Sequence, residues 1–364
     1  MYLSPRYALA QVVLHDWQLP VAAVFGYSVG ELAASVIAGE MTVRDVAAIF
    51  GAVSYVGFTP GIGGMAAIGG ISRAELDTVL EEAMGSAAAE DASHRMQSGG
   101  GDSPMRHARG SSFELGDFVG NKSDGGVVLV IAAVFSDKSF MVSGHVKALR
   151  RAITILERAR HRQVRLLDVP YAYHSPLHRL EFNAIRAPDA AASSAALSGR
   201  AGSEGRVAAR LRSRASPPLA YASCTSGGWV APGENASWMR NWQEIYERPV
   251  NCDGALACLH AGGGPSNAPP IDVLLDLSVR ADLTYYASVW SLDRARSRRA
   301  AQSGAVERER DFTTVGTIRP GFADDERLLL AATEIALHGC EIDARLALRG
   351  PGYDRAAGAE EGGR

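Results

Sequence analysis

Two short stretches carry side chains whose types and spacing could do chemistry: Gly26-Tyr27-Ser28-Val29-Gly30 and Tyr171-Ala172-Tyr173-His174. The first is a G-x-S-x-G pentapeptide. A serine hydroxyl attacks only when a base takes its proton, and His174 is the candidate base. Together the two would carry nucleophilic catalysis through a covalent serine intermediate. His178, four residues beyond His174, raises the separate prospect of a metal pair, but no third ligand and no H-E-x-x-H pattern accompanies it, so no metal site is expected. Asp168 precedes the histidine motif and reads as a surface residue.

The pentapeptide is unspecific by itself, because glycine and serine are common in this chain. Its surroundings make it informative. Pro20-Val21-Ala22-Ala23-Val24-Phe25 reads as a buried strand and Glu31 to Ala38 as a helix. A G-x-S-x-G between a strand and a helix is a nucleophile elbow: Gly26 and Gly30 permit the sharp turn that lifts the serine clear of the sheet. Ser28 would then stand at the start of a helix, where backbone N–H groups favour a developing negative charge.

The 364 residues, 47% of them hydrophobic, suffice for one large or two modest domains. A net charge of −3 makes no electrostatic case for nucleic acid, and the arginine runs 200–214 and 294–299 sit among Ala, Ser and Gly. Cys224, Cys252, Cys258 and Cys340 form no C-x-x-C pair, so reduced thiols and a cytoplasmic location are expected. No apolar run reaches the ~18 residues that a membrane helix needs.

The elements that must position Ser28 and His174 follow from periodicity. Helices are expected over residues 5–17, 43–55, 72–84, 146–159, 238–246, 254–261 and 324–338. Strands are expected over residues 63–69, 127–134, 139–143, 163–169, 219–224, 271–277 and 314–318. From residue 63 to 169 the order is strand, helix, strand, strand, helix, strand, which is the β-α-β-β-α-β order of a ferredoxin-like unit. Residues 85–126 and 188–218 are biased in composition; the first is expected to be a disordered insertion and the second a flexible one, with 294–308 irregular as well.

With these residues in view, the chain resembles the acyltransferase domains of polyketide and fatty-acid synthases, the malonyl-CoA:acyl-carrier-protein transacylase family. Ser28-Val29-Gly30-Glu31 with Leu32-Ala33-Ala34 is similar to the family's G-H-S-x-G-E segment. Gly64-Met65-Ala66-Ala67-Ile68 and Val142-Ser143-Gly144 look like strands of its small subdomain. Tyr171-Ala172-Tyr173-His174-Ser175-Pro176 resembles its H-A-F-H-S-P segment, and Trp238-Met239-Arg240-Asn241 with Arg248-Pro249-Val250 its W-x-R-N…P-V segment.

The resemblance implies an α/β fold: an α/β-hydrolase-like large subdomain (residues 1–62 and 169–315) with an inserted ferredoxin-like small subdomain (63–168). A post-acyltransferase linker (316–348) and a tail (349–364) would follow. It implies that Ser28 takes an acyl group from an acyl-CoA, with His174 as base and the Val29 backbone N–H supporting the oxyanion. The acyl group would pass to the phosphopantetheine thiol of an acyl carrier protein, the expected partner beside other synthase domains. No bound cofactor, nucleic acid or membrane is implied. Tyr27, Val53, Met65, Tyr171 and Tyr173 would line the acyl pocket.

The chain departs from the family at four places. The G-Q-G-x-Q segment that supplies an oxyanion glutamine is absent, so a truncated member is expected. Val53 stands where the family carries the arginine that pairs with a malonyl carboxylate; no arginine lies between Arg44 and Arg73. Valine cannot replace a bidentate guanidinium, so a monocarboxylic starter unit is expected beside a malonyl-like group. Tyr27 and Tyr171 replace histidines, and Ser278-Val279 replaces a Gly-Pro turn. A serine hydrolase using the same pair, and an inactive fragment, stay open as alternatives.

Overall fold

The computed structural model describes residues 3–43, 46, 62–97, 127–159, 163–177, 219–231, 245, 248–264, 267–278, 282–301, 312–317 and 324–337. In chain order the elements are α1 (Leu3–Gln11), a π-helical turn (Val12–Asp16), β1 (Ala23–Gly26), α2 (Val29–Ala38), β2 (Gly63–Gly69), α3 (Arg73–Gln97), β3 (Leu129–Ser136), β4 (Ser139–His145), α4 (Val146–Arg158), β5 (Val164–Leu166), β6 (Ala220–Ser223), β7 (Gly228–Val230), β8 (Val250–Asn251), α5 (Cys252–Ala261), β9 (Val273–Asp276), α6 (Asp282–Ala301), β10 (Thr313–Gly316) and α7 (Asp324–Leu337). The expected helix 43–55 falls almost wholly outside the described residues. So do the helix 238–246, the stretches 98–126 and 188–218, and the tail.

The chain divides into two units, and the second is inserted into the sequence of the first. The first comprises Met1–Ile49, Ser203–Trp242 and Asn251–Arg364; the second comprises Phe50–Gly202 and Gln243–Val250.

In the first unit β1 runs parallel to β6, with Gly26 opposite Ser223, and β7 returns antiparallel beside β6. β9 and β10 form a second parallel pair. Parallel neighbours require a long crossover, which is why strands adjacent in space here are far apart in sequence. Val13 and Trp17 pack with Val315, Ala331, Ala332 and Ile335 from β10 and α7. α2 buries every residue from Glu31 to Val36 and ends at Gly39, whose φ of 83° is the left-handed stop that glycine adopts without strain.

The second unit carries a sheet in the order β5-β2-β4-β3-β8. Its four main strands are antiparallel, and with α3 and α4 they follow the β-α-β-β-α-β order. Side chains alternate across a strand, so Ala66 and Ile68 of β2 join the core under the two helices while Met65 falls on the other face of the sheet. α4 buries Ala148, Leu149, Ala152 and Leu156, one helical stripe, and exposes Lys147, Arg150 and Arg158. At the start of α3, Ser72 Oγ donates to Glu75 Oε2 at 2.6 Å, and the Ser72 N–H donates to the same oxygen at 3.0 Å. With the Glu75 N–H donating back to Ser72 Oγ at 3.4 Å, this is a capping-box arrangement.

Two expectations need correction. The region from Gly85 does not begin as a disordered insertion: α3 continues through it to Gln97. The segment has no apolar period, but Ala87-Ala88-Ala89 and the long polar residues after it are strong helix formers, and the single glycine costs only about 1 kcal/mol. Residues 294–301, expected to be irregular, are the last turns of α6. There the Arg294 guanidinium lies 5.0 Å from the centre of the Trp290 ring, so the arginine run begins on a packed helix. Cys224, Cys252 and Cys258 are free thiols.

Candidate active site

Ser28 sits in the two-residue gap between β1 and α2, as the residue preceding the first helical position. Its backbone lies at φ 52°, ψ −122°, a conformation that costs a non-glycine residue about 1–3 kcal/mol and persists only where the surroundings enforce it. The turn is closed by Gly30 N–H to Tyr27 O at 2.8 Å and Glu31 N–H to Ser28 O at 2.9 Å. Val29, the first residue of α2, directs its N–H out of the helix start, where no intrahelical acceptor exists.

The two glycines of the motif do different work. A Cβ on Gly26 would fall onto the Gly30 carbonyl and within 2.5 Å of Glu31 N, all backbone atoms that cannot swing aside. A Cβ on Gly30 would meet nothing within 4 Å. The steric need for glycine in the turn is therefore met at Gly26 and not at Gly30. Gly26→Ala should destabilise the protein by about 3 kcal/mol, the upper end of overpacking costs. Gly30→Ala, inside a helix, should leave stability unchanged or raise it by up to ~1 kcal/mol. Urea unfolding of the two variants tests the pair of expectations; equal loss in both would refute them.

Glu31, three residues after Ser28, is 1% exposed; the motif contains it, but the sequence assigns it no role. Its carboxyl accepts from Tyr221 OH at 3.0 Å, from Ser223 Oγ, and from Thr225 N–H at 3.1 Å and Thr225 Oγ1 at 2.9 Å. Ser35 Oγ, one turn along α2, lies 3.0 Å from the same Tyr221 hydroxyl. Burial pushes the Glu31 carboxyl above its ordinary value of 4.5, and the bonds from Ser223, Thr225 and Tyr221 oppose that rise. Burial and the Glu31 charge push the Tyr221 phenol up as well, which keeps its proton on the bond.

The sign of the pH effect follows. The folded chain holds the Glu31 proton to higher pH than the unfolded chain, so this group's stabilisation is complete below about pH 4.5 and declines as pH rises through the raised value. Denaturant unfolding across that window should show the stability of the wild type falling relative to that of Glu31→Gln, which has no proton to release. Parallel curves would contradict the shift.

Beside Ser28, the Tyr27 ring lies 6.1 Å from that of Tyr286 on α6, and Tyr286 lies 5.4 Å from Tyr285. The start of α6 is fastened by the buried Asp276, which accepts from Ser278 N–H at 2.7 Å and Thr284 N–H at 2.9 Å. Gly26, Tyr27, Ser28, Val29 and Gly30 all belong to the first unit.

Met65, Tyr171, Tyr173 and His174 belong to the second unit. His174 is 2% exposed at φ 56°. Its loop is anchored by Ser175 Oγ donating to Ala172 O at 2.6 Å. Ala172 also lies so close to the start of β2 that a Cβ on Gly63 would stand 2.6 Å from its own Cβ. The Tyr171 and Tyr173 rings meet edge to face at 5.7 Å. Met65 is 5% exposed, on the sheet face away from α3 and α4. Val53 lies outside the described residues. Among the described residues no cluster of three His, Cys, Asp or Glu side chains could hold a metal, and no helix is long and apolar enough to cross a membrane.

No family model matches the chain, and no curated protein sequence does. Solved structures do. The acyltransferase domain from the second module of the salinomycin polyketide synthase superposes with a TM-score of 0.59 at 17% identity, over 98% of this chain and 62% of that one. A loading acyltransferase from the avermectin modular polyketide synthase gives 0.58 at 16% identity, over 92% and 78%. The malonyl-CoA:acyl carrier protein transacylase of Xanthomonas oryzae pv. oryzae gives 0.53 at 18% identity, over 87% and 74%. The chain has the α/β fold of the acyltransferase domains. It spans less than two thirds of the length of the salinomycin domain.

Proposed function

We propose that this chain is an acyltransferase of the polyketide and fatty-acid synthase type, moving an acyl group from coenzyme A through an ester on Ser28 to the phosphopantetheine thiol of an acyl carrier protein. The observation that carries the reading is Ser28 itself, held in a strained backbone conformation between β1 and the N-terminus of α2 in a chain with this fold.

In this mechanism His174 takes the Ser28 proton as Oγ attacks the thioester carbonyl. The negative charge that develops on the carbonyl oxygen meets the Val29 N–H at the helix start, where donor and helix dipole act in the same sense. Collapse expels the coenzyme A sulfur, which receives the proton from His174. The carrier thiol then gives its proton to the same histidine and attacks the acyl-serine; the C–O bond breaks and the proton returns to Ser28. Tyr27 and Tyr286 pair their rings beside Ser28 and offer the acyl group an aromatic surface. With Val53 in place of the carboxylate-pairing arginine, a monocarboxylic acyl group is preferred to malonyl.

Intact-mass spectrometry after brief incubation with malonyl-CoA, acetyl-CoA and a longer acyl-CoA tests the proposal. A mass increase matching an acyl group, transferable to an acyl carrier protein, supports it. An adduct that decays onto water at the same rate with or without the carrier would replace it by a serine hydrolase. No adduct on the folded chain would refute it.

A further inference from the structure

Both ends of the elbow are fastened to the same point of β6. On the strand side, Gly26 pairs with Ser223 in the parallel β1–β6 ladder. On the helix side, the Glu31 carboxyl accepts from the Ser223 hydroxyl, with Thr225 and Tyr221 completing the grip. Ser28 lies between these two ties, in a conformation its own backbone disfavours.

The polarity of the network is determined by its members. Ser223 Oγ already accepts the N–H groups of Thr225 at 3.1 Å and Ser226 at 3.2 Å, so its lone pairs are occupied and its own proton must go to Glu31 Oε1. Thr225 N–H, a fixed donor shared between Ser223 Oγ and the carboxyl, also meets Oε2, and Thr225 Oγ1 donates to the same oxygen at 2.9 Å. The site therefore demands an acceptor on both sides, which a carboxylate supplies and an amide of the same size does not.

Resting on the acyltransferase reading above, we propose that Glu31 is the positioning residue of the nucleophile: by holding the first turn of α2 against the end of β6, its carboxyl keeps Ser28 Oγ and the Val29 N–H in the geometry that acylation requires. Glu31 touches neither substrate nor reacting atoms; it acts through the backbone of residues 28–31. Displacing the turn relaxes Ser28 toward ordinary φ values and moves nucleophile and oxyanion donor together. A shift of about 1 Å in such a pair lowers rate by on the order of 10²-fold.

The test is single-turnover acylation of the full chain by the acyl-CoA that acylates the wild type, run beside labelling by a fluorophosphonate and thermal unfolding. Glu31→Gln should slow the maximal acylation rate by about 10- to 100-fold, leave the half-saturating acyl-CoA concentration unchanged, and slow fluorophosphonate labelling in parallel. Thr225→Val and Tyr221→Phe each delete one donor without adding another, and each should slow the same rate constant by a few-fold; they carry the test if Glu31→Gln does not fold. Folded variants that acylate at the wild-type rate, or that change only the melting temperature, overturn the inference. A wild type inert to both reagents overturns the acyltransferase reading, and this inference with it. A reactive wild type matched by its variants overturns the role of Glu31 alone.

Discussion

Ser28→Ala should leave the chain folded and abolish every acyl adduct from acyl-CoA, to the detection limit of intact-mass spectrometry. The expectation has two parts. The Ser28 side chain makes no capping bond to α2, so losing Oγ forfeits none of the ~1 kcal/mol that a serine N-cap commonly contributes. The Cβ that alanine retains meets the same φ of 52° as serine does, so the strain of the turn is unchanged. The chemical loss is total, because Ser28 carries the one aliphatic hydroxyl of the sequence Gly26-Tyr27-Ser28-Val29-Gly30. An adduct that survives in Ser28→Ala, mapped by peptide sequencing to another residue, would show that the elbow is not the site of acylation.

On the proposed mechanism, His174→Asn should lower the acylation rate by about 10²–10⁴-fold, the range for removing a general base. Asparagine is chosen because His174 stands at φ 56°, a region that asparagine adopts more readily than alanine or glutamine. The loop held by Ser175 Oγ on Ala172 O, and by Ala172 against Gly63, then stays in place. The substitution deletes the far ring nitrogen while keeping a short polar side chain near the backbone. Because His174 is almost fully buried, a loss of melting temperature accompanies the change. The decisive quantity is therefore the acylation rate well below that transition. A folded His174→Asn protein with wild-type acylation would remove the histidine from the mechanism.

Ser28 and His174 both stand out in the sequence. The strand, turn and helix around Ser28 are legible because their signals are local: an apolar run, a glycine-bracketed serine, and an alanine-rich apolar helix following one another directly along the chain. The strand Gly63–Gly69 emerged with the bounds its sequence predicts, and α4 within one residue of them, for the same reason. Where the local signal was weak the reading failed. α3 runs on from Met84 to Gln97 on helix propensity without an apolar stripe, and α6 carries its arginines on a helix that composition presented as irregular. β7 is three residues of glycine, tryptophan and valine, too short for any period to show.

The role of Glu31 was not legible at all. Read alone, it is an acid in the first turn of a helix, where the macrodipole welcomes it on the surface. Its donors lie on β6 and the turn after it, 190 to 194 residues away, and nothing in their spacing links them to the elbow. The same holds for the division of labour between Gly26 and Gly30, which the motif writes identically.

By itself, then, the sequence determined the elements and the chemistry-bearing types: strand, serine turn and helix; the histidine loop; the β-α-β-β-α-β order of the second unit. These depend on interactions between neighbours along the chain, which periodicity and turn residues record. The tertiary structure alone decided that β6 lies beside β1 with Ser223 opposite Gly26, and therefore that a carboxyl on α2 is buried against the donors of Tyr221, Ser223 and Thr225 close to Ser28. Burial and hydrogen-bond satisfaction are properties of residues brought together by folding, and no local pattern carries them.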